Sequence, residues 1–308
     1  MTAHRIAPAE AAFYTAQSVF SDPGELVGWY ADLPRDVGEL ARVVREVMVH
    51  RVEGGQFGVP IAEDRMRDDA ETRYVDDILR LVVSRDGAPL RKGRDLADRF
   101  VGICRDFTLL HVSLLRHVGI PARLRSGFAD YFGTDGFHFD HVVTEYWDDE
   151  RGWLLADAQI ADPAWYPMPF EATDVPRDRF LVAGEAWRQI RAGTVDPLSF
   201  GLPLPQGPMV GERFVAGDIR LDLAALNKVE TLLWDVWGPG SEADPECAAG
   251  TGLPAGLRDL YDIAARVTSG EVSFAEVRAL FADHDGLRTP ATVLSLAPFN
   301  GPSRVTLR

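Results

Sequence analysis

The chain has 308 residues, 46% of them hydrophobic and 26% charged, with 32 Lys and Arg against 47 Asp and Glu for a net charge of −15. A chain of that length buries enough apolar surface to fold without disulfide or metal staples. The negative field repels phosphate backbones and anionic membrane surfaces, so neither nucleic acid nor a membrane is expected as a partner.

The amino-terminal MTAHRIAPAEAAFYTAQ has no apolar core of signal-peptide length, and no run of about 18 apolar residues exists. With two cysteines far apart in the sequence, Cys104 and Cys247, the expected setting is the reducing cytoplasm. Cys247, in the loop-like ADPECAAG, is read as incidental. PAEAAFYTAQSVF reads as a helix after Pro8. PRDVGELARVVREVMVH reads as a second, with Val37, Leu40, Val43, Val44 and Val47 at helical spacing. EGGQFGVP, from Glu53, reads as a glycine-rich loop, and DAETRYVDDILRLVVSRDG as a third helix with Tyr74, Ile78, Leu81 and Val82 on one side.

FVGICRDFTLLHVSLLRHVGIPARL, Phe100 to Leu124, is the most informative stretch. Phe107, Leu110, His111, Leu114, Leu115 and Val118 lie on one helix face, and Leu109 and Val112 make the other side apolar too, which predicts a buried central helix. Gly119 is placed to end it, and Pro121 forbids its continuation. Its start falls near Cys104. Unpaired N–H groups at a helix start carry partial positive charge, which favours a thiolate over a thiol and can receive the oxygen of a tetrahedral intermediate.

Beyond Leu124 the pattern turns to strands: ARLRSGFADYF, then HVVTEYW from His141 to Trp147, a turn at DDERG, and WLLAD from Trp153 to Asp157. Pro163 to Pro169 reads as a loop of prolines and aromatics. DRFLVAGEAWRQIRAG reads as a helix ending at Gly193. Asp218 to Trp237 reads as one long helix closed by Gly238. Two more amphipathic helices follow, near Leu257 to Val267 and Ser273 to Asp283. The whole reads as one compact α+β unit, helical at both ends.

A catalytic thiol needs a base, and the base an orienting group. Of seven histidines, His4, His50, His117 and His284 lie at a terminus, helix ends or a turn, and His111 sits on the apolar face of the cysteine helix. His138 and His141 remain. Folding the two strands about Asp149 sets His141 opposite Asp157 and His138 opposite Ile160, so the carboxylate can fix the tautomer of His141. Glu145 shares the strand face of His141. Arg105 and Asp106 are expected to order the helix start. Gln56 is a weaker candidate for a second oxyanion donor, and Trp147 and Trp153 read as core.

Four segments, GICRDF at Gly102, LLRHVGIPARLRSGF at Leu114, DHVVTEYW at Asp140 and RGWLLADAQ at Arg151, resemble the core of the transglutaminase-like superfamily of papain-like fold. The resemblance spans about Phe100 to Gln159. It implies an α+β fold in which a central helix packs on an antiparallel sheet. The chain then divides into a helical part at 1–98, a transglutaminase-like catalytic core at 99–165, and a helical part at 166–308 packed on the core. It implies Cys104 as nucleophile, His141 as general base and acid, and Asp157 as its orienting partner. The reaction implied is acyl transfer from an amide or thioester to an amine or water, on a small-molecule, peptide or carrier-bound substrate.

No calcium-loop signature accompanies it, and calcium activation is not carried over. No Walker loop, Rossmann glycine pattern, HExxH or CxxC pair occurs, so neither a cofactor nor a metal is expected. The rivals are a catalytically silent binding protein on the same fold, and a zinc site at Cys104 and His141 that lacks further evident ligands.

Overall fold

A computed structural model describes residues 5–58, 60–133, 135–204, 207–244, 250 and 252–308. In chain order the elements are α1 (Pro8–Thr15), α2 (Val37–Val47), β1 (Met48–His50), α3 (Glu53–Phe57), α4 (Glu63–Asp68), α5 (Val75–Arg85), β2 (Phe100–Gly102), α6 (Cys104–His117), β3 (Ala122–Ala129), β4 (His138–Asp148) and β5 (Gly152–Ala156). There follow β6 (Phe180–Val182), α7 (Ala183–Arg191), β7 (Phe200–Leu202), β8 (Met209–Val210), α8 (Glu212–Leu226), β9 (Asp235–Val236), α9 (Ala255–Thr268), α10 (Phe274–Asp283), β10 (Thr292–Ala297) and β11 (Gly301–Thr306). The fold is α+β.

The chain forms two compact units. The first holds Met1–Leu124, Val143–Val175 and Pro298–Asn300; the second holds Arg125–Val142, Pro176–Ala297 and Gly301–Arg308. In the first unit α6 is the central element, buried from Cys104 through Arg116 and packed by α1, α2 and α5. Its all-round apolar surface requires partners on every side, and Leu40, Val43, Val44 and Val47 of α2 supply one of them.

Helix α6 ends as its sequence predicts. Gly119 takes φ 89°, its N–H bonds the Arg116 carbonyl at 3.2 Å, and the Ile120 N–H bonds Leu115 at 2.9 Å. That pair of bonds is a Schellman closure, and glycine adopts the left-handed backbone without strain. Also in this unit, β4 pairs antiparallel with β5 from Thr144↔Ala156 to Asp148↔Gly152.

In the second unit β3 pairs antiparallel with β6 (Gly127↔Val182 to Ala129↔Phe180), β7 runs parallel to β4 (His138↔Phe200), and β8 pairs antiparallel with β7. Helices α7, α8 and α9 pack on one another around Trp187, Ile219, Leu223 and Tyr261. A separate three-stranded sheet, in the order β11-β10-β9, completes the unit.

Several expectations are corrected. EGGQF is helix α3 rather than loop. MVH and FVG are the short parallel pair β1–β2. FLV, expected as helix, is strand β6. The long helix expected to reach Trp237 stops at Leu226, because Lys228 itself takes φ 64° while its N–H bonds Ala225 and the Val229 N–H bonds Ala224, both at 2.9 Å. This is the same closure as in α6, made without glycine. No helix of the described residues is long and apolar enough to cross a membrane.

Candidate active site

Cys104 is the first residue of α6. Strand β2 delivers it, held parallel to β1 through His50↔Gly102, and the Arg51 N–H bonds the Gly102 carbonyl at 3.0 Å. Ile103 is still extended (φ −119°, ψ 173°), so the chain turns into the helix at the cysteine itself. The Asp106 carboxylate folds back to accept the Ile103 N–H at 2.9 Å and pairs with Arg105 at 3.0 Å, while Arg105 also donates to the Arg73 carbonyl at 2.6 Å.

Burial pushes the Asp106 carboxyl up, and the Arg105 guanidinium opposes it. A Cβ on Gly102 would stand 3.1 Å from Asp106 and 3.2 Å from the Phe100 ring, so glycine makes room for this cap. The Asp106 and Phe107 N–H groups both bond Ile103 O, at 2.9 and 3.3 Å. The N–H groups of Cys104 and Arg105 lie outside the helix's own ladder. The cysteine is 6% exposed.

Asp157 follows the last paired residue of β5 and is buried. Its N–H bonds Ala172 O at 2.7 Å, and its Oδ1 accepts the Gln159 N–H at 2.9 Å, capping a single 3-10 turn, Ala158–Ile160. That turn packs on both α2 and α6. The β4–β5 ladder is centred on residue 150, not on Asp149 as expected. Asp148 Oδ1 accepts the N–H groups of Glu150 and Arg151, and Gly152 at φ 83° ends the turn, so Asp148 pairs with Gly152 rather than with Glu150. Continued by one pair, this register sets Val143, rather than His141, directly opposite Asp157.

His141 lies in the part of β4 that belongs to the second unit, two residues before the strand enters the first. It is buried among ring edges: Phe132 at 4.8 Å, Tyr131 at 6.0 Å and Phe180 at 6.3 Å between centroids. His138 instead lies flat on Phe200 at 4.6 Å, with burial lowering its pKa. Thus the first unit brings the Asp157 turn against the helix that Cys104 begins, and His141 is a residue of the second.

Residues 69–158 match the model of a family described as the transglutaminase-like superfamily. That segment is similar to the core of the transglutaminase-like superfamily. The matched range contains Cys104, His141 and Asp157. No curated protein matches the chain. A solved structure from Cytophaga hutchinsonii, named a "putative cysteine protease", is similar over 52% of this chain at 15% identity with a TM-score of 0.32; the match spans 45% of that structure's own length.

The structure also places the other residues weighed in the sequence. His111, one face of α6, is neutral and fully buried. Its ring nitrogens meet Thr144 Oγ1 at 3.0 Å and the Val37 carbonyl at 3.2 Å, and burial lowers its pKa to about 4. Glu145 pairs with Arg123 at 2.8 Å, and that guanidinium lies over Trp153 at 3.9 Å. Trp147 and Trp153 are half-buried, in edge contact at 5.5 Å, rather than deep core. Gln56 is exposed on α3. His4 and Cys247 lie outside the described residues.

Sequence spacing gave no sign of a buried chain of polar groups leading from Asp157: Gln159, then Tyr166, then Glu53, then Arg45. Among the described residues no group of three His, Cys, Asp or Glu side chains is arranged to hold a metal ion. A cavity of about 380 Å³ in the second unit is lined by Trp187, Arg188, Arg191, Asp262, Arg266 and Glu271, none of them a candidate residue.

Proposed function

We propose that the protein is a cysteine-dependent acyl-transfer enzyme. The Cys104 thiolate attacks the carbonyl carbon of an amide or thioester, and helix-start N–H groups receive the oxyanion. The C–N or C–S bond then breaks, and His141 gives its proton to the departing amine or thiol, leaving an acyl-enzyme. An amine or a water next attacks that thioester. His141 takes the proton of the attacking group, and the Cys104 sulfur departs. Asp157 holds the imidazole in the productive tautomer. No metal or cofactor enters the scheme, and the setting is the cytoplasm.

The observation that carries the reading is the position of the sulfur: first residue of a helix buried from Cys104 through Arg116, behind a cap that Asp106 closes from within. The family match over residues 69–158 supports it. The rival, a silent binding protein on the same fold, draws on the low exposure of Cys104. Iodoacetamide labelling followed by intact mass separates the two. The enzyme reading expects fast, pH-dependent alkylation at Cys104 that is lost in Cys104→Ala. The same variant abolishes turnover of any acyl substrate and keeps its far-ultraviolet circular dichroism. Labelling of Cys104 no faster than of Cys247, or turnover retained in Cys104→Ala, contradicts the mechanism.

A further inference from the structure

The polar chain leading from Asp157 lies wholly within the first unit and is assembled from four separate segments. Arg45 of α2 donates through Nη1 to Glu53 Oε2 at 3.0 Å, and the His50 N–H reaches the same oxygen at 2.8 Å. The Tyr166 hydroxyl donates to Glu53 Oε1 at 2.9 Å. The Gln159 amide reaches the Tyr166 oxygen at 3.4 Å, and the Gln159 backbone N–H donates to Asp157 Oδ1 at 2.9 Å. All five side chains are at least 96% buried.

The direction of the chain is fixed by chemistry. A carboxylate only accepts, so Tyr166 must donate to Glu53, and its oxygen can then accept from the amide of Gln159. Burial and the neighbouring Glu53 push the Tyr166 pKa up, which keeps the phenol a donor. Stacked aromatic groups enclose the far end: the Arg45 guanidinium lies 4.5 Å from Trp165, 5.8 Å from Phe107 and 5.9 Å from Tyr166. Phe107 sits one helical turn after Cys104.

The chain is also incompletely satisfied. Gln159 Oε1, Arg45 Nε and Arg45 Nη2 are buried with no hydrogen-bond partner among the described residues. A fold that needed only stability would fill this space with apolar side chains at less cost, since a partly satisfied buried network destabilises. What distinguishes this chain is its continuity: its hydrogen bonds run unbroken from Arg45 to the carboxylate of Asp157.

We infer that Tyr166 and Glu53 are positioning residues for the proposed reaction: through Gln159 they hold the turn that carries Asp157, and so fix the carboxylate that orients the catalytic imidazole. This rests on the acyl-transfer reading. Neither residue touches the substrate in this scheme. Removing the Tyr166 hydroxyl frees the Gln159 side chain, lets the capped turn shift, and weakens the Asp157 carboxylate's grip on its partner.

The test needs no substrate. The rate of Cys104 alkylation by iodoacetamide is followed against pH in the full chain, for wild type, His141→Ala, Asp157→Asn, Tyr166→Phe and the double variant Tyr166→Phe/Asp157→Asn. Tyr166→Phe is expected to slow alkylation about fivefold near pH 6, the equivalent of one ordinary hydrogen bond, with little change in thermal midpoint. In the Asp157→Asn background the same substitution should have no further effect, because the two act as one unit.

Gln159→Ala, which keeps the backbone N–H, is the second variant should Tyr166→Phe fold poorly, and the same slowing is expected. A His141-dependent wild-type profile that Tyr166→Phe and Gln159→Ala leave superimposed overturns the inference alone. So does equal slowing with and without Asp157. A wild-type profile indifferent to His141→Ala overturns the acyl-transfer reading, and the inference with it.

Discussion

Two buried ionic clusters, one in each unit, differ in how completely they are satisfied. In the second unit, Arg125 and Asp222 meet side by side, with Nε to Oδ1 and Nη2 to Oδ2 both at 3.0 Å; Asp222 also accepts the Ser126 N–H at 2.9 Å, and Arg125 donates to Thr268 O at 2.5 Å. Every oxygen has its donor, and the cluster ties β3, α8 and the end of α9 together. In the first unit, Arg45 and Glu53 share a single bond at 3.0 Å, and two Arg45 nitrogens have no hydrogen-bond partner among the described residues. A saturated bidentate pair acts as a clamp. A strung-out chain with open positions does little for stability, and it runs to Asp157. The comparison teaches that burial of charge alone does not mark function; what sets the first-unit chain apart is that it runs to a candidate residue.

Breaking the clamp should give the largest stability change. Asp222→Ala leaves a buried guanidinium unpaired and should cost about 3–5 kcal/mol in urea or thermal unfolding, while the pH profile of Cys104 alkylation in the folded fraction stays as in wild type. The relay variants should show the reverse, a small stability change with a visible change at the cysteine. If Asp222→Ala altered the alkylation profile as strongly as Tyr166→Phe does, the distinction between clamp and relay would fail.

His111 sharpens the contrast, as a buried titratable group with both ring nitrogens bonded. Its pKa is about 4 in the folded chain against an ordinary value of 6.5. Between those values the unfolded chain binds a proton that the native chain does not, so stability falls as pH falls from about 6.5 to about 4. The contribution lost is roughly 3 kcal/mol. Urea midpoints of wild type and His111→Gln measured at pH 7 and pH 4.5 should converge at the lower pH. A difference that holds constant across that range contradicts a neutral, buried ring.

The smallest effect concerns the end of α8. Lys228 holds φ 64°, a conformation that costs a side-chain-bearing residue about 1 kcal/mol relative to glycine. Lys228→Gly should raise the thermal midpoint by a few degrees; a lowered midpoint would show that the lysine side chain holds something at that corner.

That corner also explains what the sequence concealed. Both α6 and α8 end in the same pair of hydrogen bonds, but α6 announces it with Gly119 and Pro121, whereas α8 makes it with Asn227 and Lys228, residues that read as helix surface. The apolar run TLLWDVW then extended the helical pattern across what is a turn and the short strand β9. Strands β1, β2 and β6 are three residues long and continue the apolar pattern of their neighbours, so periodicity could not separate them. The hairpin register shifted because Asp148 caps its own turn, a side-chain bond that spacing does not reveal.

At the candidate site, Cys104 was legible because a glycine, a cysteine and an acid at a helix start have a local physical meaning. Tyr166 and Glu53 were not. Their link to Asp157 joins positions 45, 53, 159 and 166, which only the fold brings together, and the proline-rich loop holding Tyr166 reads as punctuation.

The central claim is that the Cys104 sulfur accepts an acyl group, and a mass spectrum tests it most directly. The full-length protein is incubated with a panel of simple thioesters and amides, denatured, and weighed intact before tryptic digestion. The account predicts one adduct of the acyl mass, carried on the peptide Phe100–Arg105 and absent from Cys104→Ala. Unmodified protein across the whole panel, or acylation of Cys247 at an equal rate, would contradict it.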